Sequence, residues 1–531
     1  MRQAIGAGPI RNGLTTTSSL ALGNIDVRDG LALDAAGISA GTLASDRGVA
    51  IVSNGALTTG AITAGSGPVA LTGGGTTSVA GTITAIGSTA ADITIVRDGA
   101  MTLQGLTATR DAQIDAVTGA VSIAGAVGLG RNYRVSGSGV TLGAPGAVTQ
   151  RADGAITITA GAGGITGLEG LALRSDADGS GNDPLTLAVT APSATGIAFA
   201  PGTSLFGGTS RQSDVQLQLN DAASPISLGK VEARSLTGLS TTGALRSGDV
   251  NIVRDLTASG ASIASGALTA SSGAVTLTAT GGALTTGAVD AGQGITLTGT
   301  DAIATGRLTA RDAVTVNAVG AATFGSDVTA GGALTLRGAS LGFAGGNVRS
   351  GGSIDLLASS GGIVATGGVA LASTSTRTSD FVRLQAAGVD GIVLASGSSI
   401  TAGANRALRI GIFNAAADAP LSLGNVTARS LSALGAANAD ATILGGAVVS
   451  GGSLTFGALD LVDGFAAEST GGNLSVGRLA VTGAGQGISL RAANGTLTVQ
   501  NDLSASGDVT LESGTALQLG TVESRDGQAT L

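Results

Sequence analysis

Leu308-Thr-Ala-Arg-Asp-Ala-Val314-Thr-Val316 is one of five closely similar stretches between Leu268 and Leu356. The other four are Leu268-Thr-Ala-Ser-Ser-Gly-Ala-Val275-Thr-Leu277, Val289-Asp-Ala-Gly-Gln-Gly-Ile295-Thr-Leu297, Val328-Thr-Ala-Gly-Gly-Ala-Leu334-Thr-Leu336 and Val348-Arg-Ser-Gly-Gly-Ser-Ile354-Asp-Leu356. In chain order their first residues are 21, 19, 20 and 20 positions apart. A nearly constant period of this length indicates a small structural unit that is stacked on copies of itself.

Each stretch ends in a triplet with apolar, polar and apolar side chains, as in Val275-Thr276-Leu277. Because successive side chains of a strand point to opposite faces, this alternation predicts a short strand with one buried face. A three-residue connection rich in Gly, Ser and Asp precedes the triplet, which predicts a tight turn. The sequence therefore predicts an all-β fold, a β-solenoid whose coils contain about 20 residues and two or three short strands.

The composition predicts what fills these coils. Apolar residues make up 43 % of the 531 residues, whereas aromatic residues make up 2 % and Trp is absent. The interior is therefore expected to consist of stacked Ala, Val, Leu and Ile side chains. The 91 glycines suit the turns, because Gly adopts positive φ without a steric penalty. A disordered Gly-rich chain is the alternative, but disorder is typical of low hydrophobicity and shows no strand-period alternation.

A longer repeat is superimposed on the short one. Pro225-Ile-Ser-Leu-Gly-Lys-Val-Glu-Ala-Arg-Ser-Leu236 returns 195 positions later as Pro420-Leu-Ser-Leu-Gly-Asn-Val-Thr-Ala-Arg-Ser-Leu431. The match extends upstream, where Arg211 aligns with Arg406. Residues 154–240 and 352–435 are therefore interpreted as two copies of one block of coils.

The repeats run through most of the chain, so we predict one continuous β-solenoid for residues 1–531. Two polar stretches interrupt the pattern at equivalent places in the duplicated blocks. We predict that these stretches, 176–184 and 373–380, form loops at the side of the solenoid. Residues 521–531 still follow the repeat, which favours a truncated array.

Several classes of function are excluded by composition. Cys and His are absent, so disulfides, Cys or His metal sites and triads of the Ser-His or Cys-His type are impossible. The net charge is −8, and scattered Arg side chains do not provide the clustered basic face that nucleic acid requires. No apolar run approaches the ~20 residues of a membrane-spanning helix. The first residues lack a charged-then-apolar secretion signal, which favours a protein that stays inside the cell or a piece of a longer chain.

Carboxylates remain as candidates for chemistry. Asp and Glu are dispersed along the repeat, and the aromatic platforms typical of sugar-binding sites are scarce. We therefore predict no catalytic residue, no cofactor site and no metal site, and we expect that the chain is not an enzyme. Asp176, Asp178 and Asp183 resemble a weak cation site in composition, but we interpret them as part of a solvated loop.

Two surface features have both a functional and a structural interpretation. Arg-Asp pairs recur at expected turns, namely Arg28-Asp29, Arg97-Asp98, Arg110-Asp111, Arg254-Asp255, Arg311-Asp312 and Arg525-Asp526. Instead of receptor contacts, we interpret them as turn-starting Asp residues beside Arg side chains on the solvent face. Outward Thr276 and Thr278 are followed one coil later by Thr296 and Thr298, an array like that of ice-binding surfaces. Asn317 and then Arg337 interrupt the array, so we interpret these threonines as ordinary exposed strand residues.

The repeat resembles those of filamentous haemagglutinin-like large exoproteins and of autotransporter adhesin passengers of Gram-negative bacteria. The resemblance lies in Gly331-Gly-Ala-Leu-Thr-Leu336 and Gly345-Gly-Asn-Val-Arg-Ser-Gly-Gly-Ser-Ile-Asp-Leu356. It implies a single-stranded right-handed parallel β-helix, export to the cell surface and a role in adhesion. The chain departs from these families because it contains neither their Asn-Pro-Asn-Gly-type secretion motif nor a C-terminal series of aromatic-flanked barrel strands.

The resemblance implies a surface-exposed structural rod of a secreted bacterial adhesin, non-catalytic, that attaches to cells, glycans or surfaces. Its implied partners are host-cell or surface glycans and receptors and an outer-membrane translocator, with no nucleic acid and no membrane-spanning segment. Two alternatives stay open at this point. One is a β-helix enzyme or tailspike-like depolymerase that acts on polysaccharide, and the other is a purely mechanical stalk that presents another domain.

Overall fold

The structure is a computed structural model that describes residues 12–87, 91–176, 183–208, 211–414, 419–433 and 448–531. The chain divides into two compact units, Met1–Ala261 and Ser262–Leu531, which we call unit 1 and unit 2. Most of the predicted side loop 176–184 lies outside the described residues, as do the last two residues of the predicted block 352–435.

Each unit is built from coils of three short strands. In unit 2, for example, Val314–Ala318 is followed by Ala322–Phe324 and Val328–Ala330, and the next coil begins with Leu334–Gly338. Val314 pairs in parallel with Leu334 of that next coil. The three strand positions of successive coils form three parallel sheets, which we call the first, second and third sheets. The predicted all-β solenoid is thus confirmed, as a parallel β-solenoid of about 23 turns with about 21 residues each.

Unit 1 contains strands of all three sheets. The first sheet consists of Asn12–Thr15, Leu31–Ala35, Val49–Ser53, Val69–Gly73, Ile93–Arg97, Ala112–Ala116, Leu185–Val189, Val215–Leu219, Leu236–Thr237 and Leu256–Gly260. The second consists of Ser19–Leu22, Gly37–Ala40, Leu57–Thr59, Val121–Ile123, Ile197–Phe199, Ile226–Leu228 and Ala244–Ser247. The third consists of Ile25–Val27, Leu43–Ser45, Ile62–Ala64, Val127–Leu129, Val148–Ala152, Leu171–Ser175, Ser204–Gly207, Lys230–Ala233 and Val250–Ile252. Longer strands turn a corner between two sheets, and these are Thr77–Ala85, Met101–Ala108, Tyr133–Leu142 and Ile156–Gly167.

Unit 2 follows the same plan. Its first-sheet strands are Val275–Ala279, Ile295–Gly299, Val314–Ala318, Leu334–Gly338, Ile354–Ala358, Phe381–Ala386, Arg409–Asn414 and Ser430–Ala433. A separate five-stranded parallel sheet consists of Val448–Ser450, Phe465–Ser469, Ile488–Ala492, Val509–Ser513 and Ala529–Thr530. The second-sheet strands are Ser262–Ser265, Leu284–Thr286, Ile303–Thr305, Ala322–Phe324, Leu341–Phe343, Ile363–Ala365, Ile392–Val393, Leu421–Leu423, Thr496–Val499 and Ala516–Leu519.

The third-sheet strands of unit 2 are Leu268–Ala270, Val289–Ala291, Leu308–Ala310, Val328–Ala330, Gly346–Ser350, Val369–Ser373, Ser399–Ala402, Asn425–Ala428, Leu503–Ala505 and Val522–Ser524. Leu454–Leu461 and Leu474–Val481 turn the corner from the second sheet to the third. One turn of 3₁₀ helix, Ala404–Arg406, follows the strand Ser399–Ala402.

The short sequence repeat coincides with the coil. The residues that begin the five stretches are paired in register in the third sheet, from Leu268 to Val348. The first apolar residues of the triplets stack in the first sheet, and each is at most 1 % exposed, namely Val275, Ile295, Val314, Leu334 and Ile354. Burying one such side chain contributes about 1.5–3 kcal/mol, so the stacked aliphatic columns are the main source of stability.

Polar groups also enter the interior, and several of them find partners there. The buried Tyr133 hydroxyl donates a hydrogen bond of 3.4 Å to Oε1 of Gln150, whose amide nitrogen lies 3.0 Å from the carbonyl oxygen of Ile123. In unit 2, Ser350 and Ser373 are paired in register at the ends of two third-sheet strands. Each hydroxyl donates a 2.7 Å bond to a glycine carbonyl oxygen of the preceding coil. Such bonds offset the cost of burying a polar group.

The two blocks of the long repeat share their backbone irregularities. Gly196 and Gly391 are 195 positions apart and have φ values of 58° and 61°. The next residue of each block donates a hydrogen bond to the carbonyl oxygen of Pro225 or Pro420, at 3.1 and 3.0 Å. A Cβ atom at either glycine would collide with that same oxygen, so only Gly fits. The same offset relates Gly202 to Gly397, with φ values of 82° and 84°.

Candidate functional site

The outer face of the first sheet in unit 2 carries a column of threonines. Thr276, Thr296, Thr315 and Thr335 are paired in register on four successive coils, and each is at least partly exposed. Of these four threonines, Thr276 and Thr296 belong to the array expected from the sequence, and Thr315 and Thr335 extend it by two coils. The neighbouring column contains Thr278 and Thr298 and continues with Asn317, as the sequence analysis noted. This face therefore presents regularly spaced hydroxyl and methyl groups.

A charged cluster follows at the end of the threonine column. Asp355 is paired in register with Thr335 and, on the next coil, with Arg383. Nε and Nη2 of Arg383 each lie 2.8 Å from a different carboxylate oxygen of Asp355. Nη2 of Arg337 lies 3.1 Å from Oδ2 of the same carboxylate. Although these side chains are on the outer face, Asp355 and Arg383 are only 6 % and 4 % exposed. A buried bidentate pair of this kind fixes the two side chains firmly.

The connection 374–380, within the predicted side loop 373–380, lies directly beside this cluster. It joins the third-sheet strand Val369–Ser373 to the first-sheet strand Phe381–Ala386. Oδ2 of Asp380 accepts a 2.5 Å bond from the Ser375 hydroxyl, and Oδ1 accepts a 3.3 Å bond from the Ser353 hydroxyl. The amide of Asp380 donates to the carbonyl oxygen of Arg377 at 3.0 Å. Asp380 therefore closes the base of a tight turn.

The tip of this connection points to solvent. Thr376, Arg377, Thr378 and Ser379 are all exposed. At its end, the Arg383 guanidinium lies 5.0 Å from the centre of the Phe381 ring, which adds a cation–π contact to the ion pair with Asp355. The tip offers three hydroxyl groups and one guanidinium on a rigid base, which is a surface suited to hydrogen-bonding a polar ligand.

The predicted side loop 176–184 begins and ends at described residues of unit 1. Asp176 is held between two arginines, with Oδ2 at 2.5 Å from Nε of Arg151 and Oδ1 at 3.3 Å from Nη2 of Arg174. The Arg174 guanidinium also lies 4.6 Å from the centre of the Phe206 ring. The carboxylate of Asp176 is thus engaged by arginines, which opposes cation binding there. Asp178 lies outside the described residues, and the described residues contain no group of His, Cys, Asp or Glu that could hold a metal ion.

The interpretation of the Arg-Asp pairs is wrong for one of the six. Arg28, Arg254, Arg311 and Arg525 are exposed and Arg110 is partly exposed, whereas Arg97 is completely buried in the interior. Its guanidinium donates hydrogen bonds to the carbonyl oxygens of Ser53, Thr72 and Gly55 at 2.6, 2.8 and 2.6 Å. Burial lowers the pKa of Arg97 from its ordinary value, and the nearby Asp98 partly offsets this shift.

The physical reason for the inward position is the size of its neighbours. Arg97 is paired in register with Gly73 on the preceding coil, and the coil before that ends its strand with Ser53. Gly73 has no side chain, so the long Arg side chain reaches past it to the carbonyl groups of Ser53 and Gly55.

Asp214 is the carboxylate with the clearest electrostatic perturbation. Hydrogen bonds from Arg234, at 2.8 Å from Nε and 2.6 Å from Nη2, lower the pKa of Asp214, and burial opposes this shift. The Ser235 hydroxyl adds a 2.6 Å bond. An acid that is held ionised in this way is a poor proton donor near neutral pH, so the group is suited to structure. No sequence signal marks Asp214, Asp355 or Arg383, because their pairing depends on which outward residues meet on adjacent coils.

No protein family, curated protein or solved structure matches this chain. None of the helical segments described by the structure is both long and apolar enough to cross a bilayer.

Proposed function

We propose that this chain is the structural part of a secreted bacterial adhesin, exposed at the cell surface and non-catalytic. The observation that carries the proposal is the 376–379 tip, which is exposed and polar and stands on a base fixed by Asp380 and the Asp355–Arg383 pair. Repeated coils hold such a projection rigidly, and rigid scaffolds with exposed connections are typical of binding proteins. The resemblance of the repeat to haemagglutinin-like exoproteins agrees with this function.

The expected ligand chemistry follows from the tip and the outer face. Hydroxyl groups of Thr376, Thr378 and Ser379 donate and accept hydrogen bonds, and the Arg377 guanidinium pairs with carboxylate or sulfate. Glycans of host cells or other surfaces present these groups. We therefore propose that glycans bind at this tip, with weaker contributions from the threonine column. A secreted or cell-surface location and an outer-membrane translocator as partner belong to the same proposal.

Binding of the purified chain to immobilised glycans and to intact cells tests the proposal. The tip variant T376A/R377A/T378A/S379A is expected to weaken binding by about tenfold or more. The matched control is R311A/D312A, which alters an exposed turn at the same corner of an earlier coil and is expected to bind as the parent does. Absence of binding by the parent chain contradicts the adhesin proposal, and equal loss in both variants contradicts the role of the tip. Glycan hydrolysis by the parent chain would instead identify a depolymerase.

A further inference from the structure

Three residues other than Gly have a positive φ in the part of the chain that the structure describes. They are Arg211, Asn405 and Arg406, with φ values of 61°, 54° and 61°. Arg211 and Arg406 occupy the same position in the two duplicated blocks, 195 positions apart. A left-handed backbone costs energy for a residue with a Cβ atom, and such a conformation persists where the surrounding structure compensates for it. The same strained arginine in both copies therefore calls for a compensating interaction.

The compensating interaction is similar in both units. Nη1 of Arg211 donates a hydrogen bond to Oδ1 of Asn251. Nη1 of Arg406 lies 2.6 Å from Oδ1 of Asp460 and 3.4 Å from the Thr482 hydroxyl oxygen. In each unit the arginine follows a third-sheet strand, and its partner lies on the outer face of the third sheet. Each arginine side chain thus extends along the third sheet to a partner on a later coil.

Strand pairing gives the distance that each arginine spans. Arg211 follows Ser204–Gly207, which pairs with Lys230–Ala233, and that strand pairs with Val250–Ile252, where Asn251 lies. The same two steps lead in unit 2 from Ser399–Ala402, which precedes Arg406, through Asn425–Ala428 to the strand that contains Asp460. Each guanidinium therefore bridges from one coil to the second coil after it, a span of two strand spacings of about 4.8 Å.

The last of the three linked coils differs in size between the units. The chain passes from Val231 to its partner Val250 in a coil of ordinary length, whereas the coil from Val426 to its partner Leu459 is much longer. The third sheet nevertheless keeps its register across the larger coil, with Thr427 paired to Asp460. The bond from Arg406 to Asp460 therefore joins the strand at the end of this longer coil to the chain two coils before it.

We infer that Arg211 and Arg406 are inter-coil clasps, each of which ties three successive coils of the third sheet together. The left-handed backbone aims the guanidinium along the sheet, and the bond to Asn251 or Asp460 compensates for the strain. In unit 2 the clasp holds the enlarged coil, which ends with the strand that contains Asp460, in register with the two coils before it. This role is independent of any ligand, so it stands whether or not the chain binds glycans.

Arg406→Gly in the full chain tests the inference, because a tolerated strained residue and a clasp predict different changes in hydrogen exchange. Gly removes the backbone strain and the guanidinium together. If the strained residue is only tolerated, the variant is expected to be as well protected against hydrogen exchange as the parent, or better. If Arg406 is a clasp, exchange of the amides of 425–428 and 459–461 is expected to be roughly tenfold faster.

A double-mutant cycle with Asp460→Ala separates the clasp from other effects. The clasp predicts that Asp460→Ala accelerates exchange in the parent but adds little to Arg406→Gly. Simple addition of the two effects overturns the inference, as does unchanged or slower exchange in Arg406→Gly. Should Arg406→Gly fail to fold, Asp460→Asn provides the test, because it reproduces the amide partner of unit 1. It is then expected to retain most of the protection, whereas Asp460→Ala is not. Equal protection in both of these variants also overturns the inference.

Discussion

Arg97 and Ser53 are joined by a hydrogen bond of 2.6 Å between Nη1 and the carbonyl oxygen, inside the apolar core of unit 1. Further bonds from the same guanidinium reach Thr72 and Gly55 on nearby turns of the chain. One side chain thus binds carbonyl groups of two preceding coils. A cation in an aliphatic interior is stable only where polar groups surround it, and here the carbonyl oxygens engage both Nη atoms.

Arg97→Met is therefore expected to destabilise unit 1, although Met has a comparable length and is apolar. The substitution leaves the carbonyl groups of Ser53, Thr72 and Gly55 without this donor, and an unsatisfied buried acceptor costs about 1–3 kcal/mol. Thermal unfolding followed by circular dichroism and hydrogen exchange of 49–53 measure the effect. Arg110→Met, at a partly exposed Arg-Asp pair, is the matched control and is expected to cost less than about 1 kcal/mol. Equal losses in both variants would contradict the structural role of Arg97.

The inside and outside positions of the coil are tested at two adjacent residues of one strand. Leu297 is completely buried in the stacked aliphatic column, whereas Thr296 is exposed on the outer face. Leu297→Asp places an unpaired charge in the core and is expected to cost about 3–5 kcal/mol. Thr296→Asp is expected to change stability by less than about 0.5 kcal/mol. Chemical denaturation of both variants measures the difference, and comparable losses would show that the two faces are assigned the wrong way round.

The architecture can be predicted from the sequence because stacked coils repeat the same apolar-polar-apolar triplet at a nearly constant spacing. The triplet Val275-Thr276-Leu277 identifies a strand, and its return one coil later as Ile295-Thr296-Leu297 identifies the stacking. Fold class and period therefore follow from period-2 alternation and spacing alone. The sequence predicts two or three strands in each coil without deciding between them, because a short strand such as Ile303–Thr305 has too few residues to show alternation clearly.

The positions and partners of individual polar residues are harder to predict from the sequence. The alternation Ile93-Thr-Ile95-Val-Arg97 already places Arg97 on the inner face, but the following Asp98 suggested a turn pair. The Asp355–Arg383 contact could not be predicted, because the two residues lie 28 positions apart across an irregular connection of unknown register. Local alternation indicates the face of a residue, whereas its partner depends on the length of every intervening turn.

Acid should weaken unit 1 through Asp214, and the sign follows from its environment. Hydrogen bonds from Arg234 lower the pKa of Asp214 in the folded chain relative to the unfolded one. A carboxylate with a lowered folded pKa stabilises the fold at pH above its unfolded pKa, and this contribution is lost as the pH falls through the folded pKa. Asp214→Asn is therefore expected to be less stable than the parent at pH 7 and to show a smaller loss between pH 5 and about pH 2. Thermal unfolding at a series of pH values measures both differences, and parallel pH profiles would contradict the assignment.

The buried pair Asp355–Arg383 gives a prediction in which two changes do less harm than one. Arg383→Met removes the bidentate partner and leaves Asp355 with the single 3.1 Å contact to Arg337, so we expect a loss of about 3–5 kcal/mol. Asp355→Ala leaves the Arg383 guanidinium without its carboxylate and is expected to cost a similar amount. In the double variant no buried charge lacks its partner, so its stability is expected to exceed that of either single variant. Denaturation of the three variants measures the coupling, and a double variant whose loss equals the sum of the single losses would show that the pair does not act as a unit.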